Sequence, residues 1–557
     1  MSRTRSVRQH RLTRRVFGVL YGLPRASRQQ LDAQLNVEIP MPDGVVLLAD
    51  RWAPAGLPDD APTVLVRTCY DRKTFWSLAG RAYAERGFQT VIVNSRGTFG
   101  SGGGPFYPMD SERADGLAVL DWVRAQPWYR GSLILAGASY LGYTQWAVAA
   151  GAPDDVVAMH PHLTSARLAQ NFSTTGALEL DTAARWSYLT ARQELPRANA
   201  RTVLGLDRKK LEVGLNTLPV NIIDAKTIGE AWPFFQDTIT RLEDDPRWHP
   251  WNHSVDVHRV RVPASFVAGW YDAFLVDELN DYKALREAGT PTSLTIGPWT
   301  HLAFGASRAT VRDTLEWGGM HSGQTKHRDR APVRVFVMGA NRWQEFDHWP
   351  PLESVPTRWY LKPNGDLGTA ALADQTLPPT SYGYDPADPT PSVGGRLLLT
   401  GAGRKNNSSL EARSDVLTFT SDRLESEVRL VGELSAEVWM TSTRPTWDLF
   451  VRLCDVDGRG RSYNVSDGLI RVTMQDGFAP SEPQLVRLRL APTAQQFARG
   501  HRIRVQVSSG AHPRFARNLG TVEEQVAATE LFAADQAIFH DADHPSAISL
   551  PVISLVE

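Results

Sequence analysis

Two kinds of hydrophobic pattern alternate along the first half of the chain. The runs "TVLVRT" (63–68), "LILAG" (133–137), "VVAMH" (156–160), "ASFVAG" (264–269) and "SLTIG" (293–297) are largely apolar, as is the start of "TVIVNSRGTFGSGG" (90–103). Between them lie stretches with helical spacing: "AGRAYAERGF" (79–88), residues 111–128 with Leu117, Leu120 and Val123, and "YTQWAVAA" (143–150). Strands that are apolar on both faces and alternate with helices predict a parallel sheet covered on both sides. Ser111 stands where a cap would open the second helix. Ahead of these elements, residues 36–52 alternate in strand fashion around Pro42-Asp43-Gly44 and predict a hairpin.

The rhythm breaks between residues 160 and 264. "ALELDTAARWSYLTARQEL" and "IDAKTIGEAWPFFQDTITRLEDD" read as helices and "DDPRWHPWNHS" as a loop, which predicts a helical insertion, a lid or cap. After about residue 350 the texture changes again. A Pro/Gly-rich connector, "LPPTSYGYDPADPTPSVGG" (377–395), leads to short alternating strands such as "VRLRL" (486–490) and "RIRVQV" (502–507). Their inward set is Val486, Leu488, Leu490, Ile503, Val505 and Val507, and the pattern predicts a β-sandwich of jelly-roll kind. The expected organisation is a basic extension over 1–31, an α/β domain over 32–163 and 257–347, a helical cap over 164–256, and a sandwich over 348–557.

Composition changes this picture little. The chain has 557 residues, 42% of them hydrophobic and 22% charged, with a formal net charge of −1. That suits a globular protein with a large core and points neither to nucleic acid nor to an anionic membrane. The two cysteines, Cys69 and Cys454, form no disulfide framework and no zinc pattern. They read as free thiols in a reducing compartment, and the expected location is cytoplasmic. The N-terminus is the exception, with eight arginines and no acid in residues 1–30. "TRRVFGV" (13–19) is like a twin-arginine export signal, but Pro24 and Arg25 cut its apolar run short. A basic tail or a short amphipathic helix is the plainer reading. No run is long enough to span a membrane, and no stable membrane association is expected.

The candidate chemistry begins at "LILAGASYLGYTQWAVAA" (133–150). A strand that ends at Gly137-Ala138-Ser139 and passes at once into a helix forces the serine into a tight turn. Gly137, Ala138 and Gly142 let the two backbones approach. The hydroxyl is then lifted clear of the sheet at a helix N-terminus, where an oxyanion is favoured. The pattern departs from plain G-x-S-x-G, because Leu141 stands two residues on and the glycine falls at Gly142. A serine needs a base, and the base needs an acid to hold its tautomer. Asp272 follows the strand in "ASFVAGWYDAF" and His301 follows the strand in "SLTIGPWTH". Ser, then Asp, then His, each just past a buried strand, is the order this type of fold uses.

"GASYLGYTQW", "AGWYDAF" and "GPWTH" resemble the signature segments of the cocaine esterase and X-Pro dipeptidyl-peptidase-like serine hydrolases. "RGTFGSGG", "GANRW" (339–343), "SDGLIRV" (466–472), "GHRIRVQVSS" (500–509) and "HPSAISLPV" (544–552) agree, so the resemblance runs from about residue 36 to the end. It implies an α/β-hydrolase domain, a helical cap and a C-terminal jelly roll. It implies Ser139 as nucleophile, Asp272 as acid and His301 as base, with no cofactor and no metal. It further implies an oxyanion hole made by the Tyr140 backbone N–H and the Tyr70 hydroxyl in "RTCYDRKTF". Here the sequence departs from the family: Cys69 replaces the usual proline before that tyrosine, which places a thiol next to the site.

Relatives that act on α-amino acid esters carry acids two and three residues past the catalytic aspartate, and here these positions are Phe274 and Leu275. An apolar or aromatic acyl group is therefore expected, with Phe274 in the pocket and the cap residues Trp186 and Leu189 of "ARWSYL" beside it. The expected function is a serine hydrolase of esters or peptide-like amides, acting on small molecules and not on nucleic acid. An X-prolyl dipeptidyl-peptidase is the alternative within the class. A carbohydrate-binding or adhesive protein on a dead hydrolase scaffold is the alternative outside it, and the intact Ser, Asp and His argue against that. Oligomeric state is left open.

Overall fold

The structure is a computed structural model. It describes residues 5–6, 11–28, 30–196, 201, 204–241, 244–326, 330–474 and 479–553. Part of the basic extension, 1–4, 7–10 and 29, lies outside the described residues. The chain divides into two compact units. The first comprises residues 1–169, 246–269 and 274–332; the second comprises 170–245, 270–273 and 333–557.

The sheet of the first unit contains β1 (Arg5–Ser6), β2 (Leu31–Pro40), β3 (Val46–Pro54), β4 (Thr63–Thr68), β5 (Gln89–Asn94), β6 (Leu133–Ala138), β7 (Val156–His162), β8 (Ala264–Tyr271, of which 264–269 belong to this unit) and β9 (Thr292–Thr300). They lie in the order β1-β2-β3-β5-β4-β6-β7-β8-β9. The predicted hairpin is β2–β3, antiparallel, closed by Met41 and Val45. From β5 onward the neighbours β5–β4, β4–β6, β6–β7 and β7–β8 pair in parallel. β4 and β5 are buried along their whole length, which is why they read as apolar runs with no alternation.

The α-helices of this unit among the described residues are α1 (Arg11–Leu20), α2 (Phe75–Ala84), α3 (Glu112–Arg124), α4 (Tyr140–Ala149), α5 (Leu275–Glu287) and α6 (Phe304–His321). α2 starts four residues before its apolar periodicity begins. Ser111 does precede α3, but its side chain makes no capping hydrogen bond. α1 realises the helical reading of the basic extension. Its Phe17 stacks on Tyr21 with ring centroids 4.1 Å apart. Both rings are buried, and Tyr21 lies 6.0 Å from Phe75 and 5.2 Å from Phe304. The segment is thus anchored on the first residues of α2 and α6. No helix among the described residues is long and apolar enough to cross a membrane.

The second unit contains the helices Leu180–Arg192, Arg208–Leu215 and Pro233–Ile239, and two antiparallel sheets. In one sheet the long strand Val428–Ser442 pairs with Gln484–Phe497, Ala547–Ile553 and Ala534–Ile538. In the other, Thr446–Val456 pairs with Ser462–Thr473 and Arg502–Ser508. The strands "VRLRL" and "RIRVQV" thus belong to opposite sheets. Val486, Leu488, Leu490, Ile503, Val505 and Val507 all enter one shared core with Phe419, Leu449 and Ile548. Alternation along each strand is what a sheet with one buried face requires.

Candidate active site

Ser139 links β6 to α4 with φ +61° and ψ −128°, a conformation L-residues rarely adopt. Such strain costs on the order of 1–3 kcal/mol and persists only where the surroundings hold it. Here the Ser139 N–H donates to His162 O at 2.9 Å, tying the turn to the neighbouring strand β7. The Ser139 carbonyl accepts the Thr164 hydroxyl at 2.7 Å, and the Gly142 and Tyr143 N–H groups at 2.8 and 3.1 Å. The two glycines are sterically required. A Cβ on Gly137, whose φ is +145°, would lie 2.4 Å from Leu141 Cβ, and one on Gly142 would lie 2.5 Å from Thr164 Cγ2. The serine is half-buried at the first turn of α4, where helix N–H groups favour negative charge.

His301 directly follows β9 and is half-buried. Trp299, two residues earlier, is wedged against glycines on both sides of it. A Cβ on Gly297 would sit 2.3 Å from the Trp299 ring, as would one on Gly305. The loop that carries His301 is therefore clamped by one indole, which the sequence reading missed. Asp272 directly follows β8 and is fully buried, at 0% exposure. Phe274 occupies the N-cap position of α5. Its buried ring meets the His301 ring edge-on, with centroids 5.3 Å apart.

Tyr70 is half-buried just past β4. Its backbone N–H donates to Thr68 Oγ1 at 3.0 Å and its carbonyl accepts Asn94 Nδ2 at 2.7 Å. Tyr140, the first residue of α4, is buried, and its hydroxyl donates to Glu112 Oε1 at 2.9 Å. The same carboxylate oxygen accepts Ser95 Oγ–H at 2.7 Å, and its partner oxygen takes the Arg67 guanidinium. Glu112 is a site feature that sequence reasoning did not find.

Cys69 is also fully buried, at 0% exposure. Burial raises its thiol pKa well above the ordinary value, and the Glu112 carboxylate adds to this; a hydrogen bond with the Tyr70 side chain opposes them. The thiol does adjoin these groups, but solvent does not reach it.

Trp186 and Leu189 lie on the helix Leu180–Arg192 of the second unit. Trp186 is buried, stacked on Phe172 at 5.8 Å and edge-on to Phe234 at 5.4 Å. It is thus part of an aromatic cluster of that unit's helices. Leu189 is half-buried.

One group among the described residues has the composition of a metal site: His160, His162 and Asp313, all buried. His160 Nδ1 and His162 Nε2 lie 3.3 and 3.2 Å from the same Asp313 oxygen. Imidazole N–H donation to a carboxylate accounts for both. Burial lowers the His160 pKa to about 4, so that ring is neutral near pH 7. Ligating histidines ordinarily have the second ring nitrogen held by a partner, and here His160 Nε2 and His162 Nδ1 have none among the described residues. The group therefore reads as a clamp between β7 and α6.

Residues 43–303 match the family model "X-Pro dipeptidyl-peptidase (S15 family)", and residues 326–549 match "X-Pro dipeptidyl-peptidase C-terminal non-catalytic domain". The chain is 30% identical to the cocaine esterase of Rhodococcus sp. (strain MB1 Bresler), over 93% of this chain and 98% of that protein. Among solved structures, an α-amino acid ester hydrolase superposes with a TM-score of 0.80 at 21% identity, covering 98% of this chain and 100% of the other. An aminopeptidase from the marine sediment archaeon Thaumarchaeota archaeon superposes with a TM-score of 0.80 at 22% identity, covering 95% and 98%. These two likenesses establish the fold: an α/β-hydrolase domain followed by a sheet-rich C-terminal domain. With the strained serine turn and the match along nearly the whole chain, the conclusion is that this protein belongs to the cocaine esterase and X-Pro dipeptidyl-peptidase-like family and is a serine hydrolase.

Proposed function

We propose that the chain hydrolyses esters of small apolar or aromatic acids through Ser139, His301 and Asp272. The observation that carries this reading is the turn at Ser139, a positive-φ serine at the start of a helix, held by three backbone hydrogen bonds and one from the Thr164 hydroxyl. Ser139 Oγ attacks the ester carbonyl while His301 takes its proton. Asp272 orients the imidazole and stabilises its charged form. The oxyanion that develops is met by the Tyr140 N–H at the head of α4 and by the Tyr70 hydroxyl. His301 then protonates the leaving alcohol. Water, activated by the same histidine, releases the acid from Ser139.

The acyl preference rests on Phe274. Its ring is buried against His301, where an acid would be needed to hold a substrate ammonium. An ammonium desolvated there without a carboxylate is costly. The free, buried Cys69 and Cys454 suit a reducing, cytoplasmic setting.

The test compares phenylacetyl and phenylglycyl esters of one alcohol, with a Gly-Pro anilide alongside. A higher kcat/KM for the phenylacetyl ester is expected, and Phe274→Glu should narrow the gap. Preference for the phenylglycyl ester would place an ammonium site elsewhere and overturn the acyl assignment. Dominant turnover of the anilide would make the chain an X-prolyl dipeptidyl-peptidase.

A further inference from the structure

The buried side chains behind the serine turn converge on one carboxylate. Glu112 is the first residue of α3 and is 4% exposed. The Met109 N–H donates to the Tyr140 hydroxyl oxygen at 2.9 Å, so the phenol's own proton is committed to Glu112 Oε1, also at 2.9 Å. Ser95, just past β5, donates to the same oxygen at 2.7 Å, and Arg67 in β4 holds the other. Arg67 Nη1 also reaches Thr144 O in α4 at 3.4 Å. Met109 adopts φ +73° where it presents its N–H, a strained backbone in a non-glycine residue. Strain of this kind is retained where surrounding structure demands it.

These contacts share a direction. Tyr140 supplies the backbone N–H proposed above as one oxyanion donor, and its own side chain fastens that residue to Glu112. Arg67 stands three residues before Tyr70, the other proposed donor. One carboxylate thus fixes the chain positions from which both donors are presented, through residues on β4, α3 and α4 and one residue after β5. Oxyanion stabilisation depends on donors placed before the charge develops, and small misplacement is expensive in rate.

We infer that Glu112 is a positioning residue for the oxyanion hole, acting through the Tyr140 hydroxyl and Arg67, and never touching substrate. This inference rests on the assignment of Ser139 as nucleophile and of Tyr140 and Tyr70 as donors. It differs from a merely structural ion pair in what it affects. A structural pair sets stability alone. A positioning carboxylate sets kcat and the affinity for tetrahedral adducts, with little effect on ground-state binding.

The experiment uses the full-length enzyme and two variants. Tyr140→Phe keeps the ring, the backbone N–H and the Arg67–Glu112 pair, and removes only the hydroxyl. Glu112→Gln keeps the shape but discharges the hub, and leaves Arg67 without its counter-ion. Each preparation is titrated with a fluorophosphonate, and rates for an aryl ester are expressed per labelled site. Inhibition by phenylboronic acid, which forms a tetrahedral adduct on an active serine, is measured in parallel. Tyr140→Phe is expected to lower kcat by about 10- to 100-fold, below the loss from deleting a whole donor, with KM changed by less than about threefold. The boronic acid should bind more weakly by a similar factor. Glu112→Gln should move both quantities the same way; if it does not fold, Tyr140→Phe decides alone. Full labelling with kcat within about twofold of wild type in Tyr140→Phe overturns the inference, even if the variant melts earlier. Absence of labelling at Ser139 in the wild type would instead sink the nucleophile assignment, and this inference with it.

Discussion

Gly142→Ala sets two opposed effects against each other. Gly142 lies inside α4, and replacing an interior helix glycine by alanine ordinarily stabilises by about 1 kcal/mol. The packing predicts the reverse. The added Cβ would lie 2.5 Å from Thr164 Cγ2, 2.8 Å from Thr164 Cβ and 3.2 Å from Thr164 Oγ1. Because Thr164 Cβ is itself too near, rotating its side chain gives no relief. Thr164 is fully buried, and its hydroxyl is engaged by the Ser139 carbonyl at 2.7 Å. The helix and the segment after β7 must therefore move apart by roughly 1 Å to restore ordinary carbon contacts of about 3.5 Å.

Overpacking of this kind costs about 1–3 kcal/mol, and the absence of rotamer escape places it at the upper end. After the gain in propensity, a net loss of about 2 kcal/mol is expected. The displaced atoms belong to the serine turn, and misplacement by about 1 Å can cost on the order of 100-fold in rate. Urea unfolding followed by tryptophan fluorescence gives the stability. Aryl-ester kinetics per titrated site give kcat and KM. A variant as stable as wild type, with unchanged kcat, would show that helix propensity governs and that the close approach is not what selects glycine.

Three further outcomes follow from the same structure. Tyr70→Phe should lower kcat by on the order of 10²–10³ with little change in KM, since a phenol donor acts on charge that appears only in the transition state; an effect confined to KM would move Tyr70 to ground-state binding. A bulky maleimide should leave ester hydrolysis by the native enzyme unchanged and modify Cys69 only after unfolding, because the thiol is buried and kept protonated; rapid inactivation that Cys69→Ser abolishes would show that the loop opens. His160 is neutral in the fold with a pKa of about 4, set chiefly by burial, against about 6.5 when unfolded. Its contribution is therefore complete above about pH 6.5 and is lost as pH falls toward 4, so His160→Gln should lose roughly 2 kcal/mol less than wild type between pH 7 and pH 5; equal losses would contradict the depressed pKa.

The strands around the site were legible because each is buried on both faces, so hydrophobic runs alone marked β4, β6 and β8. The serine turn was legible because Gly137 answers a local demand, the approach of Leu141 four residues on, although the Thr164 that Gly142 clears is brought in by the fold. What escaped notice depends on how the folded chain brings side chains together. Glu112 reads as an ordinary acid in the first turn of a helix, and only the fold brings it to Arg67 and Tyr140, 45 and 28 residues away. Trp299 reads as one of many tryptophans until Gly297 and Gly305 are seen to line its ring. Phe17 and Tyr21 sit in a segment whose arginines dominate its composition, and their partners Phe75 and Phe304 come from two other helices. The burial of Cys69 is likewise tertiary: its place at a strand end is visible in sequence, but the groups covering it are not.

The central claim is that Ser139 is the nucleophile, and the direct measurement is labelling and turnover in Ser139→Ala beside wild type. The wild type should take up one equivalent of fluorophosphonate, mapped to Ser139. The variant should remain folded, take up none, and lose on the order of 10⁶ in kcat toward an aryl ester, the loss expected when a triad acting as a unit is deprived of its nucleophile. Turnover by Ser139→Ala near the wild-type rate, or a label mapped to another residue, would contradict the account.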